Sequence, residues 1–402
     1  MEVNNKKLKR SINIYPIFYG LSADLIFWIA INTLFLTTVK GLSASQINSI
    51  EAIATGIGII FQLFLVKIVR KIGNLNSVRL GVTLLFLAAV LNTFCTHYLG
   101  FLIAELCYTI GFVFKHMDNV ILIKNLKYIN KSDDYIKIQT KGSMIYSFVT
   151  LIISLLSGFL FNINPYIPMI LCMTICFINI LLTYFIYEVP LTKKEEVKTN
   201  KKVHINKSIL YMVLLYGLFY ALINTGQKNS KLFVQLNMQE FLSLNKVAIY
   251  MSIFIFISRV SRLTSNLIFI TVYNKLKNKI IYLLELGLVG AFSLLLVGNF
   301  IGRNMIGIWT MALGFFIFLL IRDPFDNYLR KILFDNSKEE VHDKIVNYIT
   351  LSRKIFSLSY SMIVSMMLFN LNYVYVMTLL LVIAISFIIL IKKVYQIVEQ
   401  AK

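Results

Sequence analysis

Tyr15–Leu36, YPIFYGLSADLIFWIAINTLFL, is a membrane-length apolar run carrying one acid, Asp24, near its middle. A bilayer core about 30 Å thick takes roughly 20 helical residues to cross. With entry near Ile12, Asp24 lies about 18 Å along the axis at 1.5 Å per residue, close to the midplane. A charge at that depth costs roughly 2.5–3.5 kcal/mol on insertion scales, so Asp24 is expected to face protein or a watery cavity. The stretch also has an echo. Tyr19-Gly20-Leu21 followed by Leu25-Ile26 recurs as Tyr216-Gly217-Leu218 followed by Leu222-Ile223, with Ala221 at the acid's place. A frame that is duplicated but keeps its charge in one copy points to a polar site between two halves.

The rest of the composition agrees with a membrane chain. Of 402 residues, 58% are hydrophobic, more apolar surface than a soluble domain hides. The formal charge of +21 raises the question of nucleic acid, but the basic residues cluster in short stretches between apolar runs. That clustering reads as topology, and no nucleic-acid partner is expected. The four cysteines, Cys95, Cys107, Cys172 and Cys176, lie in apolar segments without disulfide or zinc spacing and are expected to be free thiols. The basic N-terminus precedes a run too long for a cleaved leader and without a small-residue cleavage site, so an uncleaved first helix is expected.

Hydropathy predicts an all-α membrane protein of twelve transmembrane helices in two pseudo-symmetric six-helix bundles. The predicted spans are 12–38, 46–69, 77–97, 99–123, 140–161 and 166–187, then 208–236, 246–273, 279–299, 304–321, 345–369 and 372–393. Residues 1–187 form the first half and 208–402 the second. The polar stretch 188–207, EVPLTKKEEVKTNKKVHINK, is the linker. Lysines and arginines concentrate at the N-terminus, in alternate loops and in the linker, while the opposite loops offer little beyond Lys40, Lys246 and Arg303. The positive-inside bias therefore predicts a multi-pass protein of the cytoplasmic membrane with both termini and the linker in the cytoplasm.

Further echoes support the duplication. Arg79-Leu80-Gly81 is matched by Glu285-Leu286-Gly287, and Asp118-Asn119 by Asp326-Asn327. Together with the central linker they favour two parallel six-helix halves, an arrangement found in transporters. The pattern resembles the major facilitator superfamily over the whole chain, including a basic loop between spans two and three. In that loop, Val66–Leu75 (VKIVRKIGNL), Gly73 and Lys71 fit the superfamily's signature, but Arg70 stands where its acid belongs and Asn74-Leu75 replaces a basic pair. The fifth span, SMIYSFVTLIISLLSGFLF, lacks the Gly-Pro pattern of the superfamily's drug–proton antiporters. The fourth span and its exit, AELCYTIGFVFKHMDNVILIKNL, look like a bacterial branch of presumed efflux permeases. The resemblance implies alternating access, with spans one, four, seven and ten lining the cavity, and a chain working as a monomer.

The candidate site residues are the polar side chains inside these spans. On span one, Gly20, Asp24, Trp28 and Asn32 fall at four-residue spacing, as do Tyr216, Tyr220, Asn224 and Lys228 on span seven, with Gln227 and Lys231 beside them. Residues four apart stack on one helix face, so both sets read as stripes. Arg259 and Arg262 share a face of span eight, with Arg259 about 20 Å below the outer surface. Guanidinium groups suit an anionic substrate, and Asp24, read as the one acid at mid-depth, is their expected partner if they are paired instead. Asp24, Trp28, Asn32, Tyr216, Tyr220, Asn224, Arg259 and Arg262 are therefore the expected substrate contacts. Asp24 and Glu105 are the expected proton carriers. Lys115 and Asp118 are expected to form a gating ion pair, and Glu51 is read as interfacial. The small residues Ser143, Ser147, Thr150, Ser154 and Ser157 on span five, and Ser357, Ser361 and Ser365 on span eleven, read as packing stripes.

No catalytic constellation appears. The histidines His97, His116, His204 and His342 are scattered, no zinc-type pair exists, and no Gly-rich phosphate loop precedes a lysine. No cofactor, metal or enzymatic activity is expected. The expected function is secondary active transport of a small organic solute across the cytoplasmic membrane, coupled to protons or to the solute's own gradient. The alternatives are a membrane-embedded enzyme on lipid-linked substrates, or a transporter-like sensor or scaffold.

Overall fold

A computed structural model describes residues 4–131, 134–189, 207–276, 279–335 and 342–400. Most of the linker, including Lys198, lies outside the described residues. Every regular element among them is a helix, as a membrane segment requires when no water is present to satisfy exposed backbone groups. Fourteen helices make twelve rods. Rod one is α1 (Asn5–Ser22) and α2 (Ile26–Leu34), extended by a π-helical turn over Phe35–Val39. Rods two and three are α3 (Ala44–Ile72) and α4 (Asn74–Phe94), and rod four is α5 (Tyr98–Lys115) with α6 (Met117–Tyr128). Rods five and six are α7 (Asp134–Ile163) and α8 (Ile167–Thr183). The remaining six are α9 (Lys207–Gln239), α10 (Leu244–Leu276), α11 (Ile280–Ile301), α12 (Met305–Asp335), α13 (His342–Asn370) and α14 (Tyr373–Gln400). Among the described residues, nine helical stretches are long and apolar enough to cross a membrane, and α8 and Tyr373–Ile388 are shorter apolar helices. The chain is a multi-pass membrane protein.

Rod ten departs from the span expected at 304–321. Arg322, Asp323 and Pro324 read as a polar end, yet α12 continues through all three to Asp335. The charges are tolerated there because they pair with one another and with Arg262. Asp323 and Asp326 lie on α12 past the expected end of span ten, and Glu285 is buried in α11.

The helices gather into two compact units, Met1–Gly41 with Ile53–Asn200, and Leu42–Ala52 with Lys201–Lys402. In the first unit, α1 and α2 pack on α7 and α8, and α4 packs on α5 and α8. Phe18, Val78, Val82, Ile121 and Ile186 form one core cluster there, and Tyr15, Leu122 and Leu126 a second. The α4–α5 contact depends on missing side chains. A Cβ on Gly81 would sit 2.5 Å from the Lys115 amide nitrogen and 2.6 Å from the Gly111 carbonyl oxygen. On α7, Thr150, Ser154 and Ser157 are buried and return their hydroxyls to their own helix's carbonyls. Small residues with self-satisfied hydroxyls let helices approach closely in lipid.

The sequence-degenerate loop before α4 has its own cap. Gly73 adopts φ 83°, a left-handed conformation that glycine takes without strain. Glu188, at the start of the linker, accepts from Asn74 Nδ2 at 2.5 Å and from the Leu75 amide at 3.1 Å, and pairs with Lys124 at 3.1 Å. A carboxylate is thus supplied to a helix N-terminus, where the dipole and the orphan amides favour it.

In the second unit, α12 packs on α9, α10 and α11, while α13 lies against α9. Phe219 stacks on Phe325 with centroids 4.1 Å apart, and Phe292 meets Phe318 edge-on at 4.9 Å. The first residues of α3 join this unit through reciprocal hydrogen bonds. Ser45 Oγ donates to the Ser365 carbonyl at 3.0 Å, and Ser365 Oγ to that of Ser45 at 3.1 Å. Glu51, read as interfacial, pairs with Lys228 of α9.

Candidate functional site

Asp24 sits where rod one breaks. The helix stops at Ser22 and restarts at Ile26, with Leu25 extended at φ −76°, ψ 90°. Breaking a helix in a membrane frees amides and carbonyls that must find other partners. Here two of them are met from nearby. Asp24 Oδ1 accepts from the Leu25 amide at 2.8 Å, and Asn179 of α8 donates Nδ2 to the Leu21 carbonyl at 2.9 Å. Ser22 Oγ donates to the Phe18 carbonyl at 2.6 Å. The four-residue stripe read on span one therefore spans two helices. Gly20 ends up against Ile145 and Gly142 of α7. Trp28 is buried, edge-on to Phe35 at 6.4 Å. Asn32 turns its Oδ1 onto the Thr33 amide at 2.8 Å.

The break delivers Asp24 to α5. Tyr108 Oη donates to Asp24 Oδ1 at 2.9 Å. Glu105, three residues earlier on α5, lies in electrostatic range of both Asp24 and Tyr108. Two carboxyl groups and a phenol, each half-buried, thus share one polar cluster in the first unit. Below it, at the α5–α6 junction, Lys115 and Asp118 pair at 3.1 Å with side chains 1% and 0% exposed. Lys115 Nζ also lies 4.7 Å from the Tyr19 ring centroid. Tyr15 stacks on Tyr19 and donates to Asn119 Oδ1 at 3.0 Å.

The second unit holds a related arrangement around α9. Tyr216 and Tyr220 stack with centroids 6.1 Å apart, and the Tyr216 hydroxyl donates to Asp326 of α12. Arg353 of α13 lies 3.8 Å from Asp326 and 3.4 Å from the Tyr220 ring centroid. The Asp118/Asp326 echo in sequence thus has a counterpart in contacts, since each acid sits near a stacked tyrosine pair on its own unit's first rod. Asn224 is half-buried one turn beyond Tyr220.

One turn further, α9, α10 and α12 converge. Arg262 Nε meets Asp323 Oδ2 at 2.7 Å, and Arg322 Nε meets Asp323 Oδ1 at 3.2 Å. Arg322 Nη1 donates to Gln227 Oε1 at 2.9 Å. Arg259 lies in electrostatic range of Lys231. The carboxylate that meets Arg262 is therefore Asp323, on α12, beyond the expected end of span ten. Arg322, Asp323 and Arg353 are absent from the sequence-based site. A signal for the first two existed, because the Asp118-Asn119 echo at Asp326-Asn327 falls on α12 close to them. Among the described residues, no group of three or more His, Cys, Asp or Glu side chains is arranged to hold a metal ion.

No protein-family model matches the sequence. No curated protein matches it either. Solved structures do match over nearly the full length. The nucleoside transporter NupG superimposes with a TM-score of 0.70 at 12% identity, covering 97% of this chain and 99% of its own. The D-xylose-proton symporter gives 0.65 at 15% identity, covering 95% and 96%. A bacterial homologue of the iron transporter ferroportin gives 0.62 at 13% identity, covering 96% and 99%. This chain has the major facilitator fold. At these identities the likeness is one of architecture.

Proposed function

We propose that the protein is a secondary active transporter that moves a small organic solute across the cytoplasmic membrane by alternating access, coupled to protons. The observation that carries this reading is the break in rod one, which brings Asp24 to Tyr108 and near Glu105 within the first unit. Discontinuous membrane helices recur at transporter binding sites, and intramembrane carboxyl groups recur in proton relays. The transporters that share the fold include one whose name states proton symport.

In this reading Asp24 and Glu105 carry the proton, and the phenol of Tyr108 holds Asp24 in place. Lys115 and Asp118 gate the inner end of rod four. Trp28 and Asn32 contribute solute contacts from the first unit, and Tyr216, Tyr220, Asn224, Arg259 and Arg262 from the second. Residues 1–187 and 208–402 act as the two moving halves joined by 188–207, with both termini in the cytoplasm and the chain working as a monomer. The test is proton movement into vesicles of purified protein, read with an entrapped pH dye while sugars, nucleosides, carboxylates and phosphate esters are added in turn. A solute-evoked pH change supports the reading, and solute flux without any pH change contradicts the coupling.

A further inference from the structure

Within the second unit, two arginines flank one carboxylate, and two further cations stand one helical turn away on α10 and α9. Arg322 and Arg262 each hold one oxygen of Asp323, and Arg259 lies one helical turn from Arg262 on α10. Lys231 lies one turn from Gln227 on α9 and in electrostatic range of Arg259. None of these residues sits at a helix end. Arg259 is about 22 Å along α10 from Leu244, and Arg322 about 26 Å along α12 from Met305, at 1.5 Å per residue. At such depths a charge faces a protein interior or water, and like charges gathered together recur on ion and substrate pathways.

The geometry divides the labour within the group. Asp323 uses one oxygen on each guanidinium, so a single carboxylate fixes the orientation of two planar forks. Gln227 fixes Arg322 from a second side at 2.9 Å. Their side chains are neither sealed nor freely exposed, at 33% for Arg262 and 16% for Arg322. A guanidinium fork held at its Nε edge keeps its Nη donors in a fixed plane, the geometry that matches a carboxylate or a phosphate. Lys231 adds a compact ammonium charge beside Arg259.

We infer that Arg322, Arg262, Arg259 and Lys231 form an oxyanion subsite in the second unit, with Asp323 and Gln227 as its positioning residues, and that the solute carries a carboxylate or phosphate group. This deepens the transport reading, on which it rests, by naming the chemical class of the solute. Asp323 is a positioning residue rather than a ligand, because an anion cannot bind a carboxylate.

Binding separates this inference from transport. Purified protein in detergent is melted with succinate, citrate and lactate in one arm, and with glycerol 3-phosphate and glucose 6-phosphate in a second. Glycerol, glucose and xylose form a neutral third arm, each at millimolar concentration. At least one anion is expected to raise the melting temperature where its neutral counterpart does not, and the stronger arm tells carboxylate from phosphate. For that anion, Arg322→Gln and Lys231→Gln should weaken binding by tenfold or more. Arg322→Lys, which keeps the charge but loses the fork, should also weaken it, while its ligand-free melting temperature reports folding separately. Stabilisation by neutral solutes alone, or by none of the anions, overturns the inference. So does anion binding that is unaltered in a folded Arg322→Lys or Lys231→Gln protein. A neutral solute that is bound and also drives proton movement would overturn this subsite while leaving the transport reading standing.

Discussion

Tyr108 donates its hydroxyl to Asp24 at 2.9 Å, tying rod four to the break in rod one. A hydrogen bond to a charged group contributes roughly 1.5–3 kcal/mol where it is buried. Tyr108→Phe keeps the ring and removes only the donor. Proton-driven flux is expected to fall by about tenfold to a hundredfold, the factor corresponding to that energy, while solute exchange without a gradient stays measurable. Equal losses in both modes would place Tyr108 in packing rather than in coupling.

The Lys115–Asp118 pair is inaccessible to water on both sides. Removing one partner of such a pair strands the other charge, at roughly 3–5 kcal/mol, whereas removing both costs much less. Lys115→Met should therefore lower the yield and melting temperature of the folded protein sharply. Lys115→Met combined with Asp118→Asn should recover most of that loss. Additive losses would mean that the two side chains do not depend on each other.

Much of this was legible along the chain. The succession of apolar runs is matched by the twelve helical rods, and Asp24, singled out as an acid inside an apolar run, falls at the break in rod one. Three features were not legible, each for a local reason. The break at Ala23–Leu25 contains no proline or glycine. It persists because Asn179, far away in sequence, satisfies the Leu21 carbonyl. Rod ten was truncated at 321 because Arg322-Asp323-Pro324 reads as a polar end, and only the pairing of Asp323 with Arg262 and Arg322 makes those charges tolerable inside it. Glu188 reads as linker, since its role depends on α4 and Lys124 being brought to it by the fold.

Glu188 makes a direct prediction of its own. Its carboxylate caps α4 through the Leu75 amide and Asn74, and losing such a cap costs about 0.5–2 kcal/mol. Glu188→Ala should lower the melting temperature of purified protein measurably, and Glu188→Asp should recover part of it. An unchanged melting temperature in Glu188→Ala would show that the cap contributes nothing to the folded state.

Orientation is open to a chemical test, since Ser43 and Lys131 are both exposed. In a background with Cys95, Cys107, Cys172 and Cys176 replaced, Ser43→Cys should react with an impermeant thiol reagent added to intact cells. Lys131→Cys should react only after the cells are opened. The reverse pattern would invert the topology and move the Lys115–Asp118 gate to the outer face.

The central claim is that Asp24 carries the coupling proton, and Asp24→Asn tests it most directly. In vesicles of purified protein, with a solute that evokes proton movement in the wild type, the variant is expected to lose gradient-driven accumulation. Exchange of labelled for unlabelled solute should continue at a comparable rate. Accumulation at the wild-type rate in Asp24→Asn would contradict the account.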